Sequence, residues 1–277
     1  MQFSVLMSVY KNDVWEHITL AVESIINQSA PPAEVVIVID GPIPTDSEDG
    51  LFALKERYPI VKLLPLEQNV GLGEALRIGL NHCSYDIVAR MDSDDISVPD
   101  RFARQLECFE ADSELSIVGS DITEFILAPD KAVSVREVPK SDAEIKKYMR
   151  DRCAMNHMTV MFKKSEVLRA GGYRHYYYNE DSYLWIRMMA AGCKFGNIKQ
   201  SLVYVRINDA TFMRRGGWRY FLSEKGLLDL MFKNNMIGRS RYLYNLSVRF
   251  VIQVLMPNRL RKFIFLKLMR KKPKPLT

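Results

Sequence analysis

Three carboxylates crowd into four residues at Met91-Asp92-Ser93-Asp94-Asp95. Like charges this close raise one another's pKa unless a cation lies between them. Mg²⁺ or Mn²⁺ with a bound phosphate is a natural counterion, because these hard ions take few carboxylates and complete their shells with water and phosphate oxygens. The same run also suits a helix start ahead of Pro99 or a solvated loop. A second acidic pair, Glu180-Asp181, heads a stretch of helical apolar spacing that runs through Leu184-Trp185-Ile186-Arg187. Carboxylates there complement a helix dipole and need no further role. Beside a substrate hydroxyl, Asp181 would also serve as a general base. His157 could touch substrate or metal, although a lone histidine is more often a structural hydrogen-bonder.

These groups need a scaffold, and the first hundred residues supply one. Phe3 to Val9, Glu34 to Ile39, Ile60 to Leu66 and Tyr85 to Met91 read as strands; helices are expected over 14–27, 46–58 and 71–83 between them. The run Glu34-Val35-Val36-Ile37-Val38-Ile39 is the pattern of a strand covered on both faces. Short links and strand–helix alternation predict a mostly parallel, Rossmann-like α/β sheet flanked by helices. In such sheets ligands bind outside the carboxyl ends of the strands, and the Asp92 cluster follows one of these ends. Asp40 follows another. It can accept from a uracil imide N–H or a ribose hydroxyl, or simply cap the Gly41-Pro42 turn. Asn69-x-Gly71 opens a helix with small residues at Gly71, Ala75 and Gly79, a slim stripe that allows close approach. Arg77 on that helix could face a diphosphate or water. Further on, a helix is expected from Pro99 to about Ala111 and a strand at 115–120. Residues 121–140 read as extended and irregular, followed by a helix at 142–152 and strands at 158–162 and 202–207.

The composition is that of a globular protein: 277 residues, 48% apolar and 26% charged. Disorder, collagen and a disulfide miniprotein are excluded. The four cysteines form no C-x-x-C pair, which argues against a zinc site or a disulfide framework and fits a reducing cytoplasm. No signal peptide is recognisable, and no stretch reaches the roughly 18 apolar residues of a spanning helix. The net charge of +6 hides a split, because Asp229 is the last acid and the residues after it carry 12 Lys and Arg. Two stretches there, 242–252 and 260–272, mix cations with Leu, Ile, Phe and Met at helical spacing. A basic amphipathic helix suits a membrane surface; alternatively the apolar faces pack on the main domain. A domain boundary is drawn near 208–217, giving a domain of 1–216 and a tail of 217–277.

Taken as an ordered set, these segments resemble a family-2 glycosyltransferase of GT-A fold, of the kind that assembles bacterial surface polysaccharide such as O-antigen or capsule. The residues carrying the likeness are Ser4 to Tyr10, Val38-Ile39-Asp40-Gly41, Asn69-x-Gly71, Asp92-Ser93-Asp94-Asp95, Gly171-Gly172-Tyr173 and Glu180-Asp181 with Trp185. The resemblance implies an inverting transfer of a hexose, glucose or galactose, from a UDP-sugar to a lipid-diphosphate-linked sugar at the cytoplasmic membrane face. The product would be a β-linkage, β1-3 by preference. It implies donor contacts from Ser8, Tyr10, Asp40, Asn69, Gly71, Arg77, Asp92, Ser93 and Asp94, with Asp94 and Asp92 on Mn²⁺ or Mg²⁺. Asp181 would be the base, and His157, Glu180 and Trp185 would lie toward the acceptor. No nucleic-acid partner is implied. A nucleotidyltransferase is the enzymatic alternative, but its Gly-rich first loop has no counterpart in Ser8 to Trp15. A membrane scaffold would leave the carboxylates without a role.

Overall fold

The structure, a computed structural model, describes residues 1–208, 215–257, 260–261, 263–264 and 270–271. Its first half follows the expected alternation. Strands β1 (Ser4–Val9), β2 (Glu34–Ile39), β3 (Val61–Pro65) and β4 (Ile87–Met91) are separated by helices α1 (Trp15–Ile26), α2 (Thr45–Arg57) and α3 (Leu72–His82). The four strands are parallel, in the order β3-β2-β1-β4. Every residue of β2 is buried, as its unbroken β-branched run requires. Two apolar layers flank the sheet. One holds Val5, Met7, Ile18, Val22 and Phe102; the other holds Leu6, Val38, Leu76, Leu80 and Trp185. The small-residue stripe brings α3 onto the strands, since a Cβ on Gly79 would lie 2.5 Å from both Leu6 and Val38.

The second half differs from the sequence expectation in several elements. After the short β5 (Ile96–Ser97) and α4 (Arg101–Ala111), strand β6 runs through Leu115–Phe125, well past residue 120. β7 (Ala132–Arg136) pairs with it in an antiparallel hairpin, inside a segment read as irregular. The polar residues that hid this strand are partnered across it. Asp121 Oδ1 accepts the Val138 N–H at 2.8 Å, and Glu124 accepts the Ser134 hydroxyl. Helix α5 (Asp142–Met149) opens on a Ser141–Glu144 capping box. A 3₁₀ turn at His157–Thr159 precedes β8 (Met161–Lys163), followed by α6 (Lys164–Arg169) and α7 (Glu180–Ala190). β9 is a long strand, Lys194–Arg206, lying parallel to β6. The complete sheet therefore mixes a parallel half with an antiparallel β8 between β4 and β6.

Two tail helices, α8 (Trp218–Lys233) and α9 (Arg239–Phe250), complete the described fold; α9 continues as a π-helical turn, Val251–Leu255. Leu227, Leu228, Met231 and Ile237 pack with Ile186 of α7 in a third apolar cluster. The tail thus packs in part on the main body, one of the two alternatives. Its other faces leave Leu222, Leu243, Tyr244, Val251 and Leu255 exposed. Most of the basic stretch 260–272 lies outside the described residues, as does much of the expected boundary at 208–217. Among the described residues no helix is long and apolar enough to cross a membrane. All four cysteines are free.

Candidate active site

β4 ends at Met91, and the chain turns there to present Asp92, Asp94 and Asp95. Oxygens of all three carboxylates lie within 4.8 Å of one another. Beneath them sits Arg90, a fully buried cation in an apolar strand, ion-paired with Asp92. Asp95 is buried too. Its Oδ1 accepts the Arg206 N–H at 2.9 Å, while its Oδ2 has no hydrogen-bond partner among the described residues. The first loop closes the cluster from the other side. Asp13 accepts the Ser93 hydroxyl at 2.8 Å and the Tyr10 N–H at 3.0 Å. Burial, then the charges of Asp92 and Asp13, push the Asp94 carboxyl up to about 6; burial chiefly pushes Asp13 up to about 6 as well. Asp95 is raised further by burial and by both neighbours. Clustered carboxylates that hold protons this readily, one with a buried unpaired oxygen, fit a divalent oxygen-seeking cation.

Asp40 closes β2 on the same edge, its N–H donating to the Val9 carbonyl at 2.8 Å. Its carboxylate accepts from the Asn69 side chain (2.9 Å) and from the backbone N–H groups of Val70 (2.7 Å) and Gly71 (3.1 Å). In this structure Asp40 and Asn69 therefore hold the loop that starts α3. Ser8 lies half-buried on β1, and Tyr10 is exposed just beyond it. Arg77 is directed elsewhere, in a bidentate pair with Glu74 on the exposed face of α3. Gly73 has a packing reason: a Cβ there would lie 2.6 Å from the Arg174 carbonyl and 3.2 Å from Glu180 Cβ. That contact brings the start of α7 against the start of α3.

Glu180 and Asp181 occupy the first turn of α7. Burial and the Asp181 charge push Glu180 up to about 7, while Arg90 pulls it down. Burial also raises Asp181, against a hydrogen bond from the Ser182 N–H at 2.6 Å and the charges of Arg136 and Arg90. Arg90 thus acts electrostatically on both acidic groups and connects them. The turn before α7 is pinned by the tail: Asn179 donates to Ser223 Oγ at 3.0 Å, and Ser223 donates to the Tyr177 carbonyl at 2.7 Å. Tyr178 between them takes a left-handed φ of 52°, uncommon for a side chain of this size. Asp181 and His157 face a cavity of about 610 Å³ between the main body and α8–α9. His157 is buried and neutral, with Nε2 3.0 Å from the Tyr173 hydroxyl. Trp185, expected toward the acceptor, is 0% exposed and packs edge-on to His157 in the core. This corrects the expectation, since a ring without accessible surface cannot touch an acceptor.

Sequence reasoning passed over Asp13, Arg90, Asp95 and Arg206 as site residues. Asp95 was visible in the acidic run. Arg90 carried a signal too, as the one charge in Ile87-Val88-Ala89-Arg90-Met91, because a buried charge is rare unless paired. Asp13 and Arg206 carried none.

Residues 4–168 match the sequence profile of Glycosyl transferase family 2. The chain belongs to that family. A similar relative, the UDP-Gal:alpha-D-GlcNAc-diphosphoundecaprenol beta-1,3-galactosyltransferase of Escherichia coli, is 36% identical over 98% of this chain and 97% of its own. Amylovoran biosynthesis glycosyltransferase AmsE of Erwinia amylovora is 35% identical over 95% and 97%. Among solved structures, Staphylococcus aureus TarS 1–349 in complex with UDP-GlcNAc superposes with a TM-score of 0.65 at 15% identity, covering 96% of this chain and 75% of that one. The glycosyltransferase therefore has the GT-A fold, and the resemblance read from its sequence holds for family, fold and enzyme class. In this glycosyltransferase, Asp92 to Asp95 stand at the β4 end and Glu180-Asp181 across the crevice.

Proposed function

We propose that this glycosyltransferase moves a hexose from a UDP-sugar to a sugar carried on a lipid diphosphate, with inversion, in the assembly of a bacterial surface polysaccharide. The observation that carries this reading is the placement of two acidic groups, Asp92-Asp94-Asp95 and Glu180-Asp181, around one buried Arg90 at the carboxyl edge of a parallel sheet. The likeness to a galactosyltransferase named for a GlcNAc-diphosphoundecaprenol acceptor supports the acceptor class and favours galactose and a β1-3 linkage.

Asp94, with Asp92 and Asp95, would hold Mn²⁺ or Mg²⁺, which supplies positive charge against a departing diphosphate. The chain's own residues do the rest. The loop held by Asp40 and Asn69 shapes the floor for the nucleoside. Asp181 takes the proton from the acceptor hydroxyl as that oxygen forms its bond to the anomeric carbon and the bond to the UDP oxygen breaks. Attack on the face opposite the leaving group turns an α-linked donor into a β-glycoside. Burial of Asp181 favours proton uptake, as a base requires.

The tail supports a site of action at the cytoplasmic membrane face, with 217–277 as the membrane-associating part. Leu243, Tyr244, Val248, Val251 and Leu255 are exposed on one helical stretch, in a region with cations and no acid. The deciding experiment supplies purified protein with Mn²⁺, a panel of UDP-sugars and a short-chain alkyl-diphosphate GlcNAc. UDP release that depends on the acceptor, together with a β-linked disaccharide product, supports the reading. Release of pyrophosphate would make it a nucleotidyltransferase instead.

A further inference from the structure

The cavity in front of Asp181 carries a charge pattern that the nucleotide side of the site does not explain. Among the described residues, six arginines line it, against the three carboxylates of Asp151, Asp181 and Glu224. Several are already neutralised. Arg241 makes a bidentate pair with Asp151, Arg249 pairs with Glu224, and Arg270 pairs with Glu124. Arg136 donates at 2.7 Å to the Asn156 side chain and at 2.7 Å to the Cys153 carbonyl; both partners are uncharged, and no ion pair is formed among the described residues. Arg152 differs from all of these. It is half-buried, and its guanidinium makes no hydrogen bond or ion pair among the described residues; its one ring contact is with Tyr148, 5.8 Å to the centroid.

Burial chiefly lowers the pKa of Arg152, and the charges of Arg136 and Arg270 add to it. Crowded guanidiniums in a half-enclosed space favour a polyanion among them, and the planar fork of arginine matches phosphate oxygens two at a time. The donor's diphosphate has another place, beside the carboxylates at the end of β4. Two apolar residues of the lining point to the source of a second one. Tyr244 and Val248 line the cavity and are also exposed on the apolar face of α9, so the space is continuous with the surface that suits lipid.

We propose that Arg152, with Arg136 lining the same cavity, binds the diphosphate of a lipid-linked sugar acceptor and thereby presents the acceptor hydroxyl to Asp181, which faces that cavity. The proposal rests on the acceptor class given above and assigns that acceptor's anionic subsite.

Two measurements test it. The first compares acceptors: phenoxyalkyl-diphosphate GlcNAc and the phenoxyalkyl glycoside of GlcNAc without a diphosphate. Arg152→Ala raises KM for the diphosphate acceptor about tenfold or more, the loss expected for one charge-assisted phosphate contact. It leaves KM for the glycoside and for the UDP-sugar within twofold, and Arg152→Lys recovers part of the loss. An unchanged acceptor KM, or equal losses with both acceptors, overturns the proposal. The second measurement titrates inorganic pyrophosphate into protein held in EDTA, which removes the metal route to the carboxylates. Binding that weakens about tenfold in Arg152→Ala supports the anion site; binding that does not weaken overturns it. If wild-type protein binds pyrophosphate through Arg152 but transfers sugar to neither acceptor, the acceptor reading falls and the anion site stands. Transfer to the diphosphate acceptor that is indifferent to Arg152 does the reverse.

Discussion

The guanidinium of Arg90 is ion-paired with the carboxylate of Asp92 directly beneath the acidic turn, and its Nε and Nη1 have no hydrogen-bond partner among the described residues. Burial raises the carboxyls of Asp94, Asp95, Glu180 and Asp181, and the Arg90 charge opposes that rise; burial, then Arg90, keeps His157 neutral. Arg90 is thus the fixed cation around which the acidic residues of the crevice are arranged.

Removal of that cation leaves a buried cluster of carboxylates uncompensated. Arg90→Met is expected to lower stability by about 3–5 kcal/mol, the range for breaking one side of a buried ion pair. Urea denaturation measures the loss. A second change, Asp92→Asn, in the Arg90→Met background should restore part of it. Equal stability of wild type and Arg90→Met would mean that the carboxylates are not held by this charge.

Protons and a divalent cation should compete for the Asp92–Asp95 cluster. Asp13 and Asp94 are raised from 3.8 to about 6 in the fold. The stability linked to their protons is present below about pH 4 and lost as pH rises through 6. A cation takes the protons' place above that point. Mn²⁺ should therefore raise Tm clearly at pH 7.5 and little at pH 5, and Asp94→Asn should abolish the difference. The Mn²⁺-induced shift is the correct readout because buried His157 works the other way, disfavouring the fold as pH falls below 6.5.

Asp181 is half-buried, faces the cavity and accepts one backbone N–H, and its replacement by Asn preserves shape while removing the proton acceptor. Asp181→Asn is expected to cut transfer about 10²–10⁴-fold, the usual contribution of a general base. KM for the UDP-sugar should stay within about twofold of wild type. Steady-state UDP release and nucleotide titration together check this. Full turnover by the variant would take Asp181 out of the reaction.

Gly73 stands where the beginnings of α3 and α7 meet. Gly73→Ala places a methyl 2.6 Å from the Arg174 carbonyl oxygen. The expected cost is about 1–3 kcal/mol of stability, as for overpacking elsewhere. Because α7 carries Asp181, kcat should fall more than donor KM rises. Thermal melts and kinetics on one preparation check both.

The exposed face of α9 offers a test of membrane association that leaves the fold intact. Deleting the tail would uncover the cluster of Ile186, Leu227, Leu228 and Met231. Replacing Leu243, Val251 and Leu255, each 48% or more exposed, with Ser changes only surface. The triple variant should sediment less with vesicles containing anionic lipid and keep its thermal stability. Unchanged sedimentation would show that these side chains do not meet lipid.

The residues themselves were enough to determine the parallel half of the sheet, because both signals there are local. Glu34 to Ile39 is apolar without alternation, and Gly71, Ala75 and Gly79 repeat every four residues. The acidic run at Asp92 and the pair Glu180-Asp181 were visible for the same reason: each is a short contiguous motif at an element's end. Strands β6, β7 and β9 were less legible, since Asp121, Glu124 and Ser134 are polar residues whose partners lie elsewhere in the chain. Only the tertiary structure decided which groups meet. Trp185 and Asp181 share one helix, four residues apart, yet one is sealed in the core and the other faces the cavity. Asp13, Arg90 and Arg206 come from three distant stretches and close around one turn. Burial and electrostatic coupling depend on what the fold packs against a residue, and neighbours in sequence carry no record of that.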